Sequence, residues 1–331
     1  MTDFRIQMPT GRDLRILQIS DVQIVDASQA RTPDRLKENE KIIWARENIE
    51  TLGYAPMRRL VLRETPDLIL QAGDNVYGQF DDSGRVLREM LGVLSSFGVP
   101  YASVFGNHDN ETALSVAETC RLYAEAEHSL FCRGGVTGNG NYTVGIYDGD
   151  RLVRVIYCMD SNGCWRCEDP SVKGTIGFAE DQLAWLTQTA EALGVPGILF
   201  CHVPSLDYRD ALVACGYRTE ENLDAGEFFE IGVTMPPHHP KDFGIMAERI
   251  NLRDTMPIRL HETLRRLLID CMLVGHFHGV CTSVNYDGVR YTFGVKTGGY
   301  DGAARKTGGT RITVAHDGTI SLSPVYDLSD G

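Results

Sequence analysis

Positive charge is scarce in this sequence. Its 331 residues include 32 Lys and Arg against 45 Asp and Glu, a formal charge of −13. A basic face able to track a phosphate backbone is not expected, which excludes general nucleic-acid binding. Long apolar runs are also missing. The longest uncharged stretch, 90–107, is broken by Gly98-Val99-Pro100 and carries serines, so it reads as a helix end, a turn and a strand rather than a membrane span. The start, Met1-Thr2-Asp3-Phe4-Arg5, has neither the basic beginning nor the apolar stretch of a secretion signal. With no such signal, nine scattered cysteines are expected to be reduced thiols in a cytoplasm. Cys164 and Cys167 have the spacing of zinc ligands, but two further ligands are wanting nearby. No internal repeat and no linker of disordered composition divides the chain, so one domain over 1–331 is expected. Composition leaves the oligomeric state open.

What the chain does have is a short apolar run followed at once by polar, metal-ligating residues, five times over. Residues 15–20 lead into Asp21-Val22-Gln23, and 67–72 into Gly73-Asp74-Asn75. Residues 101–105 lead into Gly106-Asn107-His108-Asp109, 197–201 into His202, and 271–274 into Gly275-His276-Phe277-His278. Such β-rich runs are buried strands. Helical spacing over 56–64, 83–97, 178–193 and 257–269 precedes the last four of them, the alternation of a layered α/β core. Three hairpins are expected around 148–150, 287–288 and 316–318. One sheet holding all these strands would be very large. Two stacked mixed sheets with helices outside, a four-layer α-β-β-α sandwich, accommodate them better.

In α/β sheets ligands gather beyond the carboxyl ends of the strands, and all five polar clusters lie there. Singly each is weak: Gly-Asp is a common turn, a lone His is usually structural, and Asn-His-Asp also suits a helix cap. Together they supply carboxylates, carboxamides and four histidines, a mixed oxygen and nitrogen set suited to Mn²⁺, Fe or Zn²⁺. Asp26 reads as a turn residue.

The order of these stations resembles the calcineurin-like metallophosphoesterase superfamily, which includes the purple acid phosphatases. The family pattern is Asp-x-His, Gly-Asp, Gly-Asn-His-Asp/Glu, a single His, and Gly-His-x-His. It is met between residues 15 and 279 at every station but the first, where Gln23 replaces His. The stretch Lys296-Thr297-Gly298-Gly299-Tyr300 and the strand from Arg311 further resemble the Dcr2-like branch. The resemblance implies that Asp74 bridges two metals. Asp21, Gln23 and His278 would complete one position, and Asn107, His202 and His276 the other. It implies two divalent or trivalent ions, Mn or Fe foremost and Zn or Mg as alternatives. Oxygen in place of nitrogen at Gln23 would tilt its position towards Mn²⁺ or Mg²⁺.

By the same resemblance His108 stabilises the phosphoryl charge or protonates the leaving group, and Asp109 either orients His108 or caps a helix. The implied enzyme is a phosphohydrolase that cleaves an ester by in-line attack of a metal-bridging hydroxide. A phosphorylated small molecule is the expected partner, and phosphomonoesters come first. A phosphodiesterase acting on a nucleotide or lipid-headgroup diester is the alternative, and a catalytically inactive phosphate-recognising module the second. Residues 204–257, with Tyr208, Tyr217, Phe228, Phe229 and Phe243, read as a lid-like insertion or a packed surface excursion. Arg209, Arg305 and Lys306 are candidates for a second anion.

Overall fold

The five apolar runs become strands of two sheets, four of them interior and the one at 101–103 an edge. The computed structural model describes residues 1–164, 176–216, 241–248, 250–300 and 306–327, with the backbone of two short strands at 227–228 and 233–234. One sheet contains β2 (Leu14–Ile19), β3 (Leu68–Gln71), β4 (Tyr101–Ser103), β15 (Gly308–Val314) and β16 (Ile320–Tyr326), in the order β16-β15-β2-β3-β4. The other contains β1 (Phe4–Gln7), β5 (Tyr142–Asp148), β6 (Arg151–Cys158), β7 (Gly197–Phe200), β9 (Val233–Thr234), β10 (Phe243–Met246), β12 (Ile269–Val274), β13 (Val280–Tyr286) and β14 (Val289–Phe293). Its order is β1-β5-β6-β7-β12-β14-β13-β10-β9. A small separate pair joins β8 (Glu227–Phe228) to β11 (Ile250–Asn251). Both large sheets are mixed: β2, β3 and β4 run parallel, as do β6, β7 and β12, while the three hairpins are antiparallel.

Period-two alternation sorts the second sheet's side chains between two cores. Ile156, Cys158, Ile198, Phe200, Cys271 and Leu273 join the core shared with the first sheet, together with α2 (Ala55–Glu64), α3 (Arg85–Ser95) and α4 (Val116–Glu125). Their neighbours Val155, Tyr157, Leu199, Cys201, Met272 and Val274 face the opposite way, onto α5 (Glu180–Leu193), α6 (Asp207–Ala214) and α7 (His261–Arg266). The layers are therefore helix, sheet, sheet, helix. Buried Gln18 of β2 crosses between the sheets, donating to the Val274 carbonyl at 3.0 Å. Among the described residues no helix is long and apolar enough to cross a membrane, and their eight cysteines are free thiols. Cys167 lies outside the described residues.

Three expectations change. The helix expected over 257–269 shortens to α7, because its start is set from afar: the Asp207 carboxylate accepts the N–H groups of Leu260 at 2.6 Å and His261 at 3.3 Å. The stretch 204–257 begins not as a lid but as part of the core. Tyr208 on α6 is buried and donates to the carbonyls of Met272 and Thr292, and β10 extends the larger sheet. Tyr217 and Phe229 lie outside the described residues, as does the Phe228 side chain. Finally, a turn-rich excursion over 27–54, including α1 (Glu38–Ile43), occupies a stretch to which no element had been assigned.

Arg154 stitches the sheets together. It is fully buried on β6 and donates to Gly318 O at 2.7 Å in the β15–β16 turn, to Gly197 O at 3.3 Å, and to both oxygens of Asp270 at 2.5 and 2.8 Å. Arg154→Met should lower stability by about 2–3 kcal/mol, chiefly through carbonyls left without a donor. Half-exposed Asp270 is screened and adds little. A urea midpoint unchanged from wild type would contradict this role.

Candidate metal centre

Each station begins where a strand stops, and the backbone bends sharply there. Asp21, Gln23, Asp74 and His276 all take positive φ, between 47° and 76°, a region that non-glycine residues occupy uncommonly. The bends throw successive side chains of parallel strands towards one point. Glycines let the stations touch. A Cβ on Gly106 would collide with the Asp74 carboxylate, and one on Gly275 with Ser20 Oγ and Asp21. Backbone donors then tie the stations together, the first across the two sheets and the others within one sheet. His276 N donates to both Asp21 oxygens at 3.2 and 3.1 Å, Gly275 N to His202 O at 3.0 Å, and Gln23 N to Asp74 O at 2.9 Å.

Two overlapping groups of ligand atoms result. Asp74, His202 and His276 present atoms within 4.8 Å of one another, and so do Asp21, Asp74 and His278. Asp74 belongs to both. The Gln23 side chain lies beside the second group, its amide Nε2 3.2 Å from Asp74 Oδ2 and 3.1 Å from His278 Nε2, so the amide must turn over to offer its oxygen to a cation. Asn107 is buried, its Oδ1 has no hydrogen-bond partner, and it lies between Gly106, pressed on Asp74, and His108, whose N–H donates to Asp74 Oδ1 at 2.9 Å. An enclosed carbonyl oxygen without a donor is costly in an apolar interior and is the atom a cation would satisfy.

The electrostatics agree. Burial alone would raise the Asp74 carboxyl, but His202 and His108 hold it well below the usual range. Burial would lower His202, yet Asp74 and Asp21 push it up to about 10, while burial and the charge of His202 press His276 down to about 3. With the Asp21 and Asp74 carboxylates both buried side by side, the site is short of positive charge. His202 Nδ1 is held by the Ala72 carbonyl at 2.7 Å, which turns Nε2 inward.

Two roles move from where the sequence placed them. Asp109 does not orient His108: its carboxylate accepts from the backbone N–H groups of Asn75 at 2.9 Å, Val76 at 3.3 Å and Gly106 at 2.7 Å. It clamps the second station to the third, and burial together with Asp74 pushes its carboxyl up to about 7. Nor does it cap a helix from residue 111; the next helix, α4, is capped by Ser115. The partner of His108 is buried Glu111, with Oε2 2.6 Å from Nδ1. A 3₁₀ turn over Asp109–Glu111 brings the pair together, since residues three apart eclipse in that geometry. The spacing was the signal that could have revealed it. Glu111→Gln should slow turnover about tenfold while metal content stays at the wild-type level, because the imidazole loses its anionic anchor but the ligands do not. Metal analysis beside kcat checks both halves.

Lys296, noted in the sequence only as part of the Gly-rich stretch, is buried and donates to the Asp21 carbonyl at 2.7 Å. Asp26 is the turn residue expected, accepting from Ser28 N and Oγ and pairing with Arg85. Of the anion candidates, Arg209 lies on α6, Lys306 sits 5.0 Å over the Tyr326 ring, and Arg305 is outside the described residues.

Residues 14–279 match the family model described as calcineurin-like phosphoesterase. The chain belongs to that family. Among curated proteins it is 27% identical over 224 residues to "Probable inactive purple acid phosphatase 28" of Arabidopsis thaliana, covering 59% of this chain and 54% of that one. It is 25% identical over 231 residues to "Phosphatase DCR2" of Saccharomyces cerevisiae, covering 65% and 36%. The chain thus spans about half the length, or less, of these curated relatives. A dimetal phosphatase from Danio rerio shares the fold, with a TM-score of 0.54, 14% identity and coverage of 95% and 96%.

Proposed function

We propose that this calcineurin-like phosphoesterase is an active, metal-dependent phosphatase that hydrolyses small-molecule phosphomonoesters within one domain, in a reducing compartment. The observation that carries the reading is the shared carboxylate: Asp74 stands in both ligand groups, and each has further donors of its own. Asp21, Gln23, Asp74 and His278 would hold one cation, and Asp74, Asn107, His202 and His276 the other, with Mn or Fe preferred for the mixed oxygen and nitrogen donors. Bound there, two ions supply Lewis acidity to a phosphate oxygen and lower the pKa of water.

The chain's own groups do the rest. His108 stacks on Tyr77 with ring centroids 4.2 Å apart. Because Nδ1 is taken by Glu111, Nε2 is the ring nitrogen left to hold or deliver a proton at the leaving oxygen. Asp109 and Lys296 keep the station loops from relaxing.

Phosphatase and phosphodiesterase part company on one assay. After chelation and restoration of Mn²⁺, a chromogenic phosphomonoester should turn over faster than the matching diester; the reverse order would establish the diesterase. The word "inactive" in the name of an Arabidopsis relative favours a second reading, a phosphate-recognising module. No turnover of either ester with fewer than one metal per chain would support it. Gln23→His should raise the bound Zn²⁺ to Mn²⁺ ratio roughly tenfold in an equimolar mixture, since imidazole suits zinc better than an amide oxygen. Elemental analysis reads the ratio directly.

A further inference from the structure

Among the described residues, the excursion over 27–54 builds the wall beside His108. Arg31 donates to the carbonyl of Glu111. Trp44 packs on Tyr77 and Phe80 at centroid distances of 5.5 and 5.2 Å, and Tyr77 is the ring on which His108 stacks. Arg35 completes this cluster. Its Nη2 donates to the Tyr77 hydroxyl at 3.1 Å, and its guanidinium lies 5.3 Å from the Phe80 ring.

Among the described residues Arg35 has no counter-charge. No carboxylate pairs with it among the described residues, and its Nη1 is shut off from solvent with no hydrogen-bond partner. Most other arginines of the excursion and its surroundings are paired: Arg46 with Glu89, Arg59 with Asp327, Arg85 with Asp26. A partly buried guanidinium left unpaired is costly, and its planar fork matches carboxylate and phosphate oxygens. Its position is also telling. Arg35 Cζ is 5.9 Å from the Tyr77 centroid, itself 4.2 Å from the His108 centroid, so the cation lies within about 10 Å of the catalytic imidazole. That is the span of a small leaving group.

We propose that Arg35 determines specificity by binding an anionic group on the leaving-group side, so that the preferred substrate is a phosphomonoester carrying a second negative charge a few atoms from the scissile phosphorus. The proposal rests on the phosphatase reading for the placement of the leaving group. Tyr77 holds the guanidinium through its hydroxyl and the His108 ring against its face, so one side chain sets the spacing between the two.

Matched ligands test it. Binding of 3-phosphoglycerate and glycerol 3-phosphate, which differ by a carboxylate against a hydroxymethyl, is measured calorimetrically on the Mn²⁺-loaded protein. Fructose 1,6-bisphosphate against fructose 6-phosphate supplies the second-phosphate arm. At least one doubly anionic member should bind about tenfold or more tightly than its partner, and the arm showing the preference names the group. Arg35→Gln should shrink that ratio towards one, while Arg35→Lys, which keeps the charge, should retain part of it. Wild-type protein binding both members of both pairs equally would overturn the proposal, whether or not the variants fold. So would an unchanged ratio in Arg35→Gln. Turnover of these esters separates the two claims: selective binding without hydrolysis supports Arg35 and sinks the phosphatase, whereas hydrolysis without selectivity does the opposite.

Discussion

Asp74→Asn should remove both metals and nearly all activity. The substitution changes one oxygen to an amide nitrogen and leaves the volume almost untouched, so the fold should survive. The chemistry should not. Asp74 is the only residue present in both ligand groups, and one of its oxygens also accepts the His108 N–H at 2.9 Å while the other accepts from Gln23 at 3.2 Å. An amide offers one acceptor atom and no charge, so it cannot serve two cations and two donors at once. Activity should fall by about 10⁴-fold or more, on the scale seen when a group central to charge stabilisation is lost. Elemental analysis should find less than half a metal per chain. Circular dichroism matching wild type would place the loss in the site rather than in the fold.

His108→Ala should behave in the opposite way. His108 is not a member of either ligand group, its N–H bond to Asp74 comes from the backbone, and its ring leans on Tyr77 and Glu111. Alanine preserves the backbone bond and both metals. It removes the imidazole proposed to meet the leaving oxygen. A loss of about a hundredfold or more in kcat is expected, the usual range for a missing acid or electrostatic group. The loss should shrink for esters whose leaving groups need no proton, such as nitrophenols. A variant as fast as wild type on an alkyl phosphate would show that His108 does not act on the reaction.

The five stations could be read from the chain because each is local: a β-rich run ends and ligands follow within a few residues. Their convergence followed from the parallel order of the strands. What escaped depends on which loop meets which. Asp109 looked like the partner of His108 because the two are adjacent, yet the N–H groups it accepts come from Asn75, Val76 and Gly106. Asn75 and Val76 belong to a turn more than thirty residues upstream. Glu111 hid in a 3₁₀ turn too short to show periodicity. The excursion over 27–54 carries no repeating apolar pattern; ion pairs such as Arg46–Glu89 and Arg85–Asp26 help to hold it, and such pairs leave no mark on the local sequence. Likewise, the start of α7 rests on Asp207, more than fifty residues away.

Metal placement is the claim on which the catalytic roles depend. Crystals grown with Mn²⁺, with diffraction recorded on either side of the manganese edge, test it most directly. Two anomalous peaks are predicted per chain, flanking Asp74, one touching Asp21, Gln23 and His278 and the other Asn107, His202 and His276. A single peak away from Asp74, or none at full manganese loading, would contradict the account.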